Sequence, residues 1–209
     1  MVKKVLVFSL AGLLSFGAAA QQRPVESLFQ VGLGVFVETV DGAIDMVDQE
    51  PGMVLKLSYG LDIPVADAWS VLPGVGLRDQ AADIRHIGWD GGDPDGLVYA
   101  DAFVLARWHF TPIDGTPMVF SIGPDLSYEL TKEKYYIDAD PWDDLSGKRK
   151  YKPWDIGLLA SLTFEQGAHW QFGAEACLGL RNLLIQYPDL YRTGNRHFHT
   201  VMFTCGYRF

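Results

Sequence analysis

The chain has 209 residues, 22 of them Gly and 13% of them aromatic, which is near the length of one β-domain, so a single core or a single barrel is expected. Acidic side chains outnumber basic ones by 26 to 17, a net charge of −9 with His neutral, and this argues against a nucleic-acid partner, which needs a basic face. Beyond residue 20 no apolar run is long enough for a spanning helix, so a place in a membrane would require a closed sheet, the other structure that satisfies every backbone group in lipid.

In chain order, Lys3 and Lys4 precede an apolar run from Val5 to Phe16, then Ala18-Ala19-Ala20 and the polar pair Gln21-Gln22. This is the pattern of a cleaved secretory signal, and the run is well short of the ~20 residues that span a bilayer. Residues 1–20 are therefore expected to be a signal peptide and 21–209 the exported domain. Removing the signal takes two lysines and no acids, leaving 15 basic and 26 acidic side chains, a net of −11.

Eight segments then alternate with period two: 28–38, 53–63, 69–78, 99–110, 118–130, 154–165, 170–181 and 197–209. Their connections alternate too. Residues 39–52, 79–98, 131–153 and 182–196 are long, whereas 64–68, 111–117 and 166–169 are short. The expected fold is all-β, an eight-stranded antiparallel up-and-down transmembrane β-barrel with four long extracellular loops and three short periplasmic turns. One parity carries no Asp, Glu, Lys or Arg in any segment. The other carries the charges together with Gly32, Gly34, Gly60, Gly74, Gly76, Gly123, Gly157, Gly173, Gly179 and Gly206. A soluble barrel would turn the oily face inward, but a narrow eight-stranded interior needs small residues among large ones, so the charged, Gly-rich parity is placed inside. The oily face then meets lipid, with Trp69, Trp108, Phe110, Trp170, Tyr207 and Phe209 as a belt at the turn end and Tyr128 and Trp154 at the loop end.

The inward charges are the candidate site. They are the acids Glu38, Asp62, Asp101, Asp125, Glu129, Asp155, Glu165 and Glu175 and the bases Lys56, Arg78, Arg107, Arg181 and Arg208, with His109. An unpaired buried charge is costly, so these are expected to pair and plug the lumen, with a narrow ion path as the alternative. Gly206, Tyr207 and Phe209, ending the chain on an aromatic strand, form the expected assembly signal. Cys177 lies on the inward parity and Cys205 on the outward one, so both are expected to be free.

Other motifs are weaker. His197-Phe-His199 has metal-ligand spacing but sits at the outward rim, where an interfacial role suits it better. Asp90, Asp93 and Asp95 lack the spacing of a calcium loop, and Lys148-Arg149-Lys150, with Lys132 and Lys134, reads as a solvated basic run that could meet lipid phosphate. G-x-S-x-G is absent and the five histidines form no recognisable Ser-His-Asp pattern. No catalytic residue, cofactor or metal is expected.

Asp62-Ile63-Pro64, Trp69 and Pro73-Gly74-Val75-Gly76-Leu77 resemble the second hairpin of the PorT-like outer-membrane β-barrel family of Bacteroidota. Gly123-Pro124, Gly179-Leu180-Arg181-Asn182 and Gly206-Tyr207-Arg208-Phe209 are similar to that family as well. The resemblance implies an outer-membrane location in a Gram-negative bacterium, a build like the small OmpX and OmpA barrels, and for some members a part in protein secretion. The expected role is structural or surface-interacting through the long loops, with a secretion-system component as the alternative and a narrow pore or barrel enzyme behind it. Expected partners are outer-membrane lipid and lipopolysaccharide, the barrel-assembly machinery during biogenesis and an envelope protein; nucleic acid is not among them, and the chain is expected to be a monomer.

Overall fold

The structure is a computed structural model and describes residues 23–40, 43–44, 52–81, 96–112, 115–130, 152–183 and 195–209. The expected signal peptide, Asp90, Asp93, Asp95, Lys132, Lys134, Lys148-Arg149-Lys150 and the Glu38 side chain lie outside the described residues.

Period-two alternation becomes strand throughout: β1 (Glu26–Val40), β2 (Ala43–Ile44), β3 (Gly52–Ala66), β4 (Trp69–Ala81), β5 (Gly96–Phe110), β6 (Met118–Glu129), β7 (Trp154–Gln166), β8 (Trp170–Gly179) and β9 (Arg196–Arg208). The sheet runs β1-β3-β4-β5-β6-β7-β8-β9, every pair antiparallel, and β9 returns to pair with β1 from Leu28↔Arg208 to Val40↔Arg196. Eight long strands thus close into a barrel with no free edge. The two-residue β2 folds back on the loop end of β1 through Thr39↔Ile44 and takes no part in closure.

The strand ends depart from the sequence reading at the first hairpin. The sequence ends the strand at Ile63 and begins the turn at Pro64, but β3 continues to Ala66 and the reversal is confined to Asp67 and Ala68. A register shift between Pro64 and Ala66 absorbs the proline, which cannot donate to a regular ladder. In the other two hairpins, Gly115 (φ 83°) and Gly167 (φ 65°) supply the left-handed backbone that the reversal requires.

Side chains on the inward parity are buried and those on the outward parity are exposed, strand by strand. Val54, Lys56 and Ser58 point in while Leu55, Leu57 and Tyr59 point out, and the same alternation holds from Asp101 to Trp108 on β5. The placement of the Gly-rich parity inside is correct. Gly74 shows why small residues are needed there: a Cβ at that position would collide with the Phe103 ring.

Candidate functional site

The lumen is organised in layers, and β5 shows their order along one strand. From loop end to turn end its inward residues are Tyr99, Asp101, Phe103, Leu105, Arg107 and His109. Charge, hydrocarbon and charge follow one another.

In the loop-side layer, Lys56 Nζ on β3 meets Glu175 Oε1 on β8 at 2.6 Å, spanning the barrel between non-adjacent strands. Arg78 Nη2 donates to Asp101 Oδ1 at 3.3 Å and to Ser127 Oγ at 2.8 Å, and the Ser127 hydroxyl donates in turn to Asp125 Oδ2 at 3.0 Å. Arg78 also lies 5.0 Å from the Tyr99 ring centroid, and Lys56 lies 5.3 Å from that of Phe103. These groups are almost wholly removed from solvent, which explains why each cation has an acid within reach.

The turn-side layer is built around two arginines. Arg107 Nη1 holds Asp62 Oδ2 at 2.7 Å, and its Nη2 donates to Gln171 Oε1 at 3.0 Å. Gln171 in turn donates to Glu165 Oε1 at 3.1 Å. Arg208 bridges Glu165 at 3.0 Å and Glu26 at 3.3 Å, tying β9 to β7 and β1. The strand that closes the barrel in the backbone therefore also closes it through its inward guanidinium.

Between the layers lies a cluster of Leu28, Leu72, Phe103, Leu105 and Leu159, all buried. We call it the septum. The sequence reading, directed at charge, missed it. The signal that could have found it is the presence of large apolar residues on the inward parity, these five together with Phe36, Val54, Val119, Phe198 and Met202.

Of the thirteen charged residues expected inside, nine fall in these layers: Lys56, Arg78, Asp101, Asp125 and Glu175 on the loop side, Asp62, Arg107, Glu165 and Arg208 on the turn side. Glu129 and Asp155 are buried near the loop end, where Asp155 Oδ1 accepts the N–H of Ile156 at 2.8 Å. Arg181 differs. Strand β8 stops at Gly179, so Arg181 sits just past its end and donates to the Trp154 carbonyl at 3.2 Å at the exposed rim. Of the closing residues, Tyr207 stacks on His169 at 5.3 Å and meets Trp170 edge-on at 5.0 Å, and the Phe209 N–H donates to the Ser27 carbonyl at 2.9 Å. Gly206 is buried between Gln30 and Gln171.

One arrangement brings hydrolytic residue types together. Ser70 Oγ and His109 Nε2 are 2.8 Å apart, and Asp62 Oδ2 lies 3.8 Å from that same nitrogen. In a triad the acid orients the imidazole through its other nitrogen. Here Asp62 lies on the nitrogen that faces Ser70 and is also held by Arg107, and Ser70 is only 1% exposed, so the three do not have the relay geometry of a triad.

Outside, aromatic residues gather at both ends of the wall. Trp69 stacks on Trp108 at 6.3 Å and Trp108 on Phe110 at 4.6 Å at the turn end; Tyr128 and Trp154 meet at 4.5 Å at the loop end. His197 and His199 stack at 6.4 Å on the loop-end rim, with His199 bonded to Thr39 Oγ1 at 2.9 Å. Both cysteines are free, Cys177 buried inside and Cys205 on the outward parity.

A closed antiparallel barrel with an oily, aromatic-belted exterior and a paired-charge interior defines the class of small outer-membrane β-barrels. The chain belongs to the outer membrane protein beta-barrel domain family, whose model matches residues 19–184. Ail, the attachment invasion locus protein of Yersinia pestis, is similar over 90% of this chain and 100% of its own, at 15% identity and a TM-score of 0.47. The N-terminal β-barrel domain of Pseudomonas aeruginosa OprF is similar over 88% of this chain and 97% of its own, at 12% identity and a TM-score of 0.41. OprG of the same organism is similar over 91% and 99%, at 12% identity and a TM-score of 0.40. No curated protein sequence matches the chain. The broad family is thus established, and none of these comparisons singles out its PorT-like branch.

Proposed function

We propose that this protein is a closed surface barrel: it spans the outer membrane as a monomer, passes no solute, performs no catalysis and works through its long connections on the outside of the cell. Residues 1–20 direct its export and are then removed. The observation that carries this reading is the septum, an apolar layer held between two layers of paired charge. An ion would have to shed its water to cross hydrocarbon in a lumen already filled by side chains. Planar-bilayer recording of the folded protein tests it. Silence is the expected result, and a stable, large unit conductance would overturn it.

The secretion-component role that the likeness of residues 62–77 to the PorT-like family implies makes a different prediction. It requires stable co-purification with other envelope subunits in mild detergent, whereas a surface barrel purifies alone and loses partner binding when its long connections are shortened.

A further inference from the structure

The outer wall carries a groove of its own. Pro73 on β4 and Pro124 on β6 each lack a ladder donor. Pairing of β3 with β4 lapses between Gly60↔Gly74 and Ile63↔Val71, and that of β5 with β6 lapses between Phe103↔Asp125 and Ala106↔Ile122. Between the two lapses the outward side chains of β5 are short, Ala102 and Val104, and a depression of 620 Å³ opens over them. It follows the paired row Tyr59↔Val75↔Ala102↔Leu126↔Ile156. Five strands at a spacing of ~4.8 Å make it roughly 19 Å long. Because barrel strands tilt, the groove runs obliquely.

At its β7 end, Ile156 lies two residues below Trp154, which packs on Tyr128. Two cations stand at that rim. Arg181 reaches the Trp154 carbonyl, and Lys152 Nζ reaches the Asn182 carbonyl at 2.9 Å. The nearest acid on the strand, Asp155, is buried on the inward side.

We propose that the groove holds one acyl chain of a phosphorylated outer-leaflet lipid whose phosphate meets Arg181 and Lys152. The inference rests on the outside placement of the long connections given above. Three features select a lipid over a second copy of the chain. The groove is concave and lies between the aromatic belts, at hydrocarbon depth, where an unfilled hollow would forfeit dispersion contacts. Barrel walls are convex and have no hydrophobic drive to associate in lipid, whereas a flexible chain can follow an oblique path. A guanidinium and an ammonium at one end suit a phosphate.

The test is native mass spectrometry of the full-length mature protein folded in phosphatidylcholine vesicles containing lipid A, then extracted in mild detergent. One retained lipid A is expected. Val104→Trp, or the smaller filling Ala102→Phe, should lower retention severalfold, and Ala174→Trp on the distant β8 wall should not. Arg181→Gln with Lys152→Gln should lower retention of phosphorylated lipid A severalfold and leave that of dephosphorylated lipid A unchanged. Full retention by both groove-filling variants would overturn the groove, and equal retention of the two lipid forms by the wild type would overturn the phosphate contact. Cross-linked dimers lost in Val104→Trp would assign the groove to a second copy and overturn the lipid. Heat-modifiable migration of each variant reports on the barrel separately, and bilayer conductance on the closed lumen, so failure of either is distinct from failure of the groove.

Discussion

Lys56 and Glu175 show how single residues hold the lumen. Their side chains meet at 2.6 Å across the barrel, and both are buried. Removing one partner strands the other charge, so Glu175→Ala should destabilise the folded barrel by about 3–5 kcal/mol, read as a lower urea midpoint in vesicles. The double change Lys56→Met with Glu175→Leu should recover most of that loss, because apolar residues of similar volume avoid the desolvation that the ion pair suffers. An unchanged midpoint in Glu175→Ala would show that the pair contributes nothing. The cysteines test the wall itself. Cys177 Sγ lies 3.8 Å from Asp125 Oδ2 inside the barrel, whereas Cys205 is on the outward parity. An apolar maleimide supplied from the bilayer should therefore label Cys205 and spare Cys177 until the protein is unfolded, and peptide mapping would show the difference.

At the level of elements, β9 joins both ends of the chain. It pairs with β1 and β8, its Arg208 reaches Glu26 and Glu165, and the Phe209 N–H is bonded to Ser27. Deleting Phe209 should reduce the heat-modifiable, membrane-assembled fraction far more than removing one residue from a long connection; equal yields would refute a closing role. The two faces of each strand predict a second contrast. Ile122→Arg, on the lipid side of β6, should cost about 2–4 kcal/mol if it lies near the bilayer midplane. Strand number and facing were legible because period two is a local property, and Gly at inward positions indicated which side is narrow. Strand ends were less so: Pro64 signals a turn until the partner strand shows that a register shift can absorb it. Arg181 was not legible for a related reason, since parity extrapolated beyond the end of β8 does not say where a side chain goes. The septum was hidden because alternation gives the side of the wall on which Leu28, Leu72 and Leu159 lie but not their height. That height depends on the stagger of eight strands, and only closure determines it.

For the whole molecule, the proposed closed lumen turns on whether the septum or the paired charges would stop an ion. The charged layers offer an ion oxygen ligands, whereas Leu28, Leu72, Leu105 and Leu159 offer none. If this layer blocks passage, trimming it should matter more than trimming charge. Phe103→Ala with Leu105→Ala should introduce brief, small conductance steps in a planar bilayer where the wild type is expected to be silent, because it widens the apolar layer and admits water. The same change should lower stability by several kcal/mol, since each truncation alone costs about 2–5 kcal/mol in a packed interior. Neutralising the turn-side layer by Arg107→Gln with Asp62→Asn should leave the bilayer silent, because the septum stays in place. Silence from the septum variant, with its heat-modifiable shift intact, would move the block to the paired charges. Conductance from the charge variant alone would do the same. The pair of variants thus separates a hydrophobic gate from an electrostatic plug, two barriers that predict the same silence in the wild type and opposite responses to substitution.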